Sequence, residues 1–162
     1  MSTSNLDNSW VLWFHNSTND WTIKSYLNIF EINTIEDFWE VYLRLNNFIV
    51  QGGMFFLMKK NIEPLWENEE NINGGCWSYK INKNDSLNAW TELSMYLCSE
   101  LLLEDKNLFS KINGISISPK KSFCILKIWN NESEYNSVDL INKKIPYYLP
   151  SKCIYKAHVD RN

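Results

Sequence analysis

The residues best equipped for recognition stand in one short segment, Asn61-Ile-Glu-Pro64-Leu-Trp66-Glu67-Asn-Glu-Glu70, where an indole and a carboxylate are neighbours in polar surroundings. Pro64 has no backbone N–H and biases Glu63 toward extended geometry, and solvated acids follow, so the segment reads as a surface loop. An indole face beside a carboxylate suits a flat, cationic ring with N–H groups on its edge. The ring stacks, cation–π attraction adds to the stacking, and the carboxylate accepts the edge hydrogens. A methylated guanine has that chemistry. The same residues also admit a plainer reading, in which Trp66 covers the core and Glu67 is a solvated loop acid.

A second indole sits in a comparable place. Asn16-Ser-Thr-Asn-Asp20 is a polar cluster and therefore a loop, and Trp21 follows it directly, flanked by Asn19, Asp20, Thr22 and Lys24. Core tryptophans sit inside apolar patterns, as Trp10 and Trp13 do in Ser-Trp-Val-Leu-Trp-Phe-His; Trp21 does not, and is read as a binding residue. Further along, Ile115 and Ile117 alternate with serines, Pro119-Lys120-Lys121-Ser122 turns, and Phe123 to Trp129 returns as the second arm of a hairpin. Cys124, Leu126 and Ile128 form its core face. The opposite face carries Lys120, Lys127 and Trp129 together, although solvation of a hairpin tip explains the lysines equally well.

The remaining elements must hold these residues in place. Strands are expected over residues 9 to 15, 25 to 32, 54 to 58 and 76 to 81, with a last one near Ile154-Tyr155. Asn33 or Thr34 caps a helix that runs through Phe38 to Leu43, with Glu36 and Asp37 suited to its first turn. Ile35, Trp39 and Tyr42 form one stripe of it and Phe38, Val41 and Leu45 another, so one stripe packs inside and the other is left over. Trp39 is then either a further core residue or an exposed anchor for a partner. A longer helix, about residues 86 to 103, buries Leu87, Trp90, Leu93, Leu97 and Leu101, leaving Glu92, Met95 and Ser99 off the stripe. Asn73-Gly74-Gly75 reads as a turn, and His158 to Arg161 as a polar tail.

Composition narrows the class. A chain of 162 residues with 44% hydrophobic and 22% charged residues is a globular domain, here a short arm over residues 1 to 8 and one domain over 9 to 162. Eight Trp, eight Tyr and eight Phe exceed ordinary core filling and point to stacking or interface work. A net charge of -3 excludes a protein that grips a long phosphate backbone, so any nucleic-acid contact is local. Cys76, Cys98, Cys124 and Cys153 lack the spacing of a zinc site, and no apolar run is long enough to span a bilayer. The expectation is a soluble cytoplasmic monomer with reduced thiols, no membrane contact, no metal and no cofactor.

Taken in order, Trp10-Val-Leu-Trp13-Phe, Trp21, Asn33-Thr-Ile-Glu-Asp-Phe-Trp39, Ile62-Glu-Pro-Leu-Trp66-Glu67, Gly74-Gly75-x-Trp77, Trp90 and Ile128-Trp129 resemble the mRNA cap-binding translation initiation factor 4E family across essentially the whole chain. The resemblance implies an α+β fold: a curved antiparallel sheet with helices on its convex back and a cap slot on its concave front. It implies that the 7-methylguanine of a capped mRNA 5′ end lies between Trp21 and Trp66, that Glu67 accepts its N1–H and amine, and that Trp129 lines the methyl group. On the phosphate side Lys120 stands where the family has an arginine, Ser122 and Ile125 stand where it has lysines, and Cys76 replaces another arginine; Lys121 and Lys127 are the compensating cations. On the back, Ile35, Trp39, Glu92, Met95, Cys98 and Ser99 match the positions that receive the Tyr-x-x-x-x-Leu-apolar helix of the scaffold factor 4G and of repressor proteins.

The expectation is therefore an initiation factor that performs no chemistry. A hydrolase would need clustered carboxylates, a metal triad or a nucleophile with its base, and Glu67 with His158 makes no mechanism. The alternative is a cap-binding repressor or decoy that recruits no scaffold.

Overall fold

A computed structural model describes residues 4–160; residues 1–3 of the expected arm and Arg161 of the expected tail lie outside it. Seven strands, β1 (Asn5–His15), β2 (Leu27–Thr34), β3 (Met54–Lys59), β4 (Gly75–Asn82), β5 (Ile112–Pro119), β6 (Phe123–Asn130) and β7 (Ile154–Ala157), form one curved antiparallel sheet in the order β2-β1-β3-β5-β6-β4-β7. Three α-helices, α1 (Ile35–Tyr42), α2 (Asn47–Val50) and α3 (Ser86–Cys98), lie on its convex back. Asn5 to Asn8, expected in an arm, instead extend β1, where Asn5 pairs with Thr34.

Period-two alternation divides every central strand between two faces. Trp10, Leu12, Leu57, Ile115, Ile128 and Trp77 turn to the back and close over Trp90, Leu93 and Leu97 of α3 as the main core. Their neighbours Phe56, Met58, Cys76 and Trp129 turn forward and make a second, smaller apolar cluster with Tyr26. The front of the sheet is thus itself partly apolar.

Thr34, one of the two expected N-cap candidates, caps α1, and Asp37, expected only to complement the helix dipole, closes a full capping box with it. The helix does not bury either expected stripe whole. Phe38 and Tyr42 go inside, stacked 4.0 Å apart, while Ile35 and Trp39 stay exposed. Both are i, i+4 pairs, and with only two turns available the helix rests on one such pair alone. The Tyr42 hydroxyl donates to Ser94 Oγ at 2.7 Å and so ties α1 to α3.

The expected helix over residues 86 to 103 ends at Cys98. Glu100 takes φ 60°, Leu101 N–H donates to Tyr96 O and Glu100 N–H to Leu97 O, the paired bonds of a Schellman ending. That position is usually glycine. Here Asn8 Nδ2 donates to Glu100 Oε1 at 2.8 Å and holds the residue in place from β1, a long-range cause without local signature. β2 likewise starts and ends two residues later than expected, because Ile23–Ser25 forms a 3-10 turn before it.

Gly74 and Gly75 serve close approach rather than an unusual turn. Neither has positive φ, but a Cβ on Gly74 would fall 1.8 Å from Asn130 O and one on Gly75 would fall 2.3 Å from Lys156 O. These glycines let β6 and β7 close on the start of β4. Gly74→Ala is expected to cost about 3 kcal/mol, the upper end for overpacking because the obstacle is backbone, measured by urea denaturation at equilibrium.

Candidate functional site

The front of the sheet holds a cavity of about 250 Å³ lined by Trp21, Trp66, Glu67 and Trp129, with Lys127, Cys76 and His158 beside them. All four residues expected to read a base therefore meet, although they come from the β1–β2 loop, the β3–β4 loop and β6. Trp21 is 53% exposed and Trp66 47%, whereas Trp129 is 7% exposed. Two indoles are presented and the third forms the floor.

Each is held from behind. His15 is buried at the end of β1, with its ring stacked on Tyr26 at 4.1 Å and lying 4.5 Å from Trp21, and its Nε2 is 2.8 Å from Asp20 O. Trp21 therefore rests on a fixed column of rings. Asp20, whose carboxylate accepts from the Thr22 hydroxyl and N–H, shapes the loop between them and has its pKa lowered by those bonds. Trp129 donates its Nε1 hydrogen to Ser116 Oγ on β5 at 3.0 Å, which fixes the plane of the floor.

The loop that carries Trp66 and Glu67 is fastened by amides. Asn71 is fully buried and donates to Glu63 O at 3.1 Å and Leu65 O at 2.9 Å; its own Oδ1 accepts from Asn113 Nδ2 at 2.8 Å, which also donates to Glu70 O. Asn113 belongs to β5, so the loop is tied to the sheet at the residues flanking the indole. Sequence reasoning missed His15, Asn71 and Asn113. In a chain so rich in asparagine, two more carry no local mark, and only their burial distinguishes them.

The electrostatics of the slot are simple. His158 lies 5.2 Å from Trp129 and 6.4 Å from Trp66, and burial, reinforced by Lys127, lowers its pKa to about 4, so it is a neutral wall at neutral pH. Burial pushes the Cys76 thiol up to about 12, so it too is neutral. Burial, then the Glu67 charge, raises the Tyr26 hydroxyl to about 12. Glu67 and Lys127 are the charged residues that line the cavity.

Lys120 and Lys121 do not line it. They stand exposed at the β5–β6 hairpin tip, at the opposite end of β6 from Trp129, beyond the Ser118–Ile125 pair. Among the expected partner-facing residues, Ile35, Trp39, Met95 and Ser99 are exposed and Glu92 is half-buried. Cys98 is not a surface residue: one turn after the buried Ser94 and next to Leu97, it shares the buried face of α3 and belongs to the main core. Among the described residues no cluster of His, Cys, Asp or Glu comes together to hold a metal ion, and no helix is long and apolar enough to cross a membrane. The four cysteines are free thiols.

A single curved sheet with helices behind it carries, on its front, a cavity flanked by two exposed loop indoles. The profile of the Eukaryotic initiation factor 4E family matches residues 5–162, and the chain belongs to that family. Eukaryotic translation initiation factor 4E of Xenopus laevis is 31% identical over 167 aligned residues, which cover 96% of this chain and 77% of that protein. The Homo sapiens protein of the same name is 29% identical over 96% of this chain and 76% of its own length. Ascaris suum eIF4E-3, solved with m7G cap, matches with a TM-score of 0.82 at 22% identity, covering 99% of this chain and 94% of that one. Caenorhabditis elegans eIF4E-3, solved with the 4E-binding protein Mextli and a cap analog, also gives 0.82 at 22% identity, over 97% and 94% of the two chains.

Two measurements test the supports of the slot. Asn113→Ala leaves the Asn71 Oδ1 buried without its donor, and is expected to cost about 1 to 3 kcal/mol in urea denaturation; faster amide hydrogen exchange over residues 63 to 71 should accompany it. For His158 the folded pKa, about 4, lies below the ordinary 6.5, so the unfolded chain binds the proton first. Its contribution to stability is complete above pH 6.5 and is lost as pH falls toward 4. His158→Gln should flatten the pH dependence of the melting temperature in that window.

Proposed function

We propose that this chain binds the 7-methylguanosine cap at the 5′ end of mRNA, with the base between Trp21 and Trp66. The observation that carries this reading is the convergence of two exposed indoles from separate loops on one small cavity that also contains Glu67. Methylation at N7 makes the guanine cationic. Two π faces and an adjacent carboxylate then favour it over the neutral base, and the Glu67 carboxylate accepts the N1–H and the exocyclic amine. The backbone N–H of Trp66 is the donor for the guanine O6, and Trp129 closes the floor against the methyl group. Neutral Cys76 and His158 suit an incoming cation, since neither repels it.

The triphosphate leaves the slot past Lys127, the cation nearest the base, with Lys120 and Lys121 farther along at the hairpin tip. A lysine supplies charge without the bidentate fork of an arginine, so the phosphate grip is electrostatic and salt-sensitive. On the back, Ile35 and Trp39 of α1 and Met95 of α3 are exposed apolar residues on two helices joined by the Tyr42–Ser94 bond. Such a face suits an amphipathic helix of the Tyr-x-x-x-x-Leu-apolar kind, and its exposure favours a factor that docks a scaffold in translation initiation over a decoy that does not.

Titration of intrinsic tryptophan fluorescence with 7-methyl-GTP should give strong quenching, and unmodified GTP much weaker binding. Trp66→Ala removes one face of the stack and should weaken 7-methyl-GTP about ten- to hundredfold. Equal affinity for the two nucleotides, or an unaffected Trp66→Ala, would overturn the reading.

A further inference from the structure

A hollow larger than the slot, about 920 Å³, lies toward the far ends of β4 and β6. A hollow that rests on one face of a strand touches alternate residues, since successive side chains point to opposite faces. From β6 it does take alternate residues, Phe123 and Ile125, but from β4 it takes the unbroken run Ser78 to Asn82. It is therefore a groove along the outer edge of β4.

That edge lacks a partner strand. The register of β4 with β7 stops at the pair Ser78–Ile154, whereas β4 runs on to Asn82. Before Ile154 the chain turns away through a 3-10 turn over Pro150–Lys152, so β7 reaches no farther along β4. His158 N–H donates to Gly74 O, and this sets the phase of the ladder: Gly74, Cys76 and Ser78 direct their backbone groups toward β7. Lys80 is the next residue of that phase. Among the described residues nothing pairs with its outward N–H and C=O.

The side chains around the edge are of one charge. Lys80, Lys152 and Lys156 line the groove with a single acid, Asp85, on a chain whose net charge is -3. Among the described residues none of the three lysines forms a salt bridge, and Lys80 Nζ stands 4.5 Å over the Phe123 ring. Between the lysines the groove is apolar, with Leu149 and Ile154 exposed. Lysines beside an open edge turn away neutral and basic strands, and they admit one that brings its own acids.

We propose that this groove docks an extended acidic segment of a partner protein, which adds to the outer edge of β4 as a short strand continuing the line of β7. The residue opposite Lys80 exchanges two main-chain hydrogen bonds with it, as in other cases of strand addition to a sheet edge. Acids at the front-facing positions meet Lys80, Lys152 and Lys156, and apolar residues alternate with them. The open edge selects a peptide over a nucleic acid: Lys80 offers a donor and an acceptor side by side, and a phosphate chain supplies acceptors alone. The docking is independent of what the slot binds.

The test titrates the full chain with a fluorescein-labelled Val-Glu-Val-Glu-Val peptide, blocked at both ends, and follows anisotropy together with residue-resolved amide hydrogen exchange. Saturable binding is expected, with slower exchange of the Lys80 N–H in the complex, a change that charge attraction alone does not produce. The same peptide N-methylated at alternate residues keeps its acids but cannot pair, and should bind about tenfold more weakly, the scale of the lost hydrogen bonds. Lys80→Gln/Lys152→Gln/Lys156→Gln should also weaken the unmodified peptide about tenfold, while its melting temperature stays that of the unaltered chain. No saturable binding up to about 1 mM would overturn the docking. So would equal binding of the N-methylated peptide, unchanged exchange at Lys80, or equal binding by the triple variant. Displacement of the peptide by an uncapped 5′-triphosphate hexanucleotide of equal or higher affinity would overturn it too, by making the groove a site for polyanions in general.

Discussion

The hydrogen bond from Asn113 to Asn71 joins the loop that presents Trp66 to the strand beneath it, and the rest of the front face is arranged around that tie. A side chain that is to stack on a ligand has to be left bare, so it cannot be fixed by burial. Its fixation must come from the backbone on either side. Asn71 does this by holding the carbonyls of Glu63 and Leu65, and Asn113 by holding that of Glu70, so the segment between them has little freedom although its indole is in solvent. Amides suit the task because each supplies donors and an acceptor at a buried point without bringing a charge there. Trp21 is treated differently. It leans on the buried His15 and Tyr26 rings and is positioned by contact with the core of the front face.

How much of this was legible in the sequence follows from the range over which each cause acts. Trp21, Trp66 and Glu67 stood out because an indole in a polar loop contradicts its own surroundings, and a contradiction can be seen locally. The face of the β5–β6 hairpin that carries Trp129 and Lys127 followed from alternation. The N-cap of α1 is a feature of neighbours and was narrowed to Asn33 or Thr34, although the reciprocal bond from Asp37 was not read. By contrast, Asn71 and Asn113 act on each other across 42 positions, and Glu100 holds a glycine-type conformation with help from Asn8, 92 positions away. Nothing near Glu100 ends a helix, so the apolar periodicity carried the expected helix on to residue 103.

The division of α1 into a buried pair and an exposed pair shows how the two faces of the domain differ in kind. Behind the sheet, Ile35 and Trp39 are apolar residues that a short helix cannot bury, and they stay on the surface. In front, the apolar residues of the floor are already sealed against each other, and only the two loop indoles remain open. The back offers open apolar area. The front offers a small cavity of about 250 Å³ between two loops.

The strand order has a consequence for the time at which the slot can exist. β4 lies between β6 and β7, and the walls of the cavity are drawn from Trp21, Trp66, Trp129 and His158, spread over nearly the full described length. A chain emerging from the ribosome delivers the two indoles long before it delivers the floor or the histidine wall, and with β6 missing, β4 has no neighbour to join it to the rest of the sheet. The loops of a half-made chain thus present their tryptophans to nothing in particular. The cavity is completed only by the last strands to arrive, so a stalled chain lacks both its floor and its histidine wall.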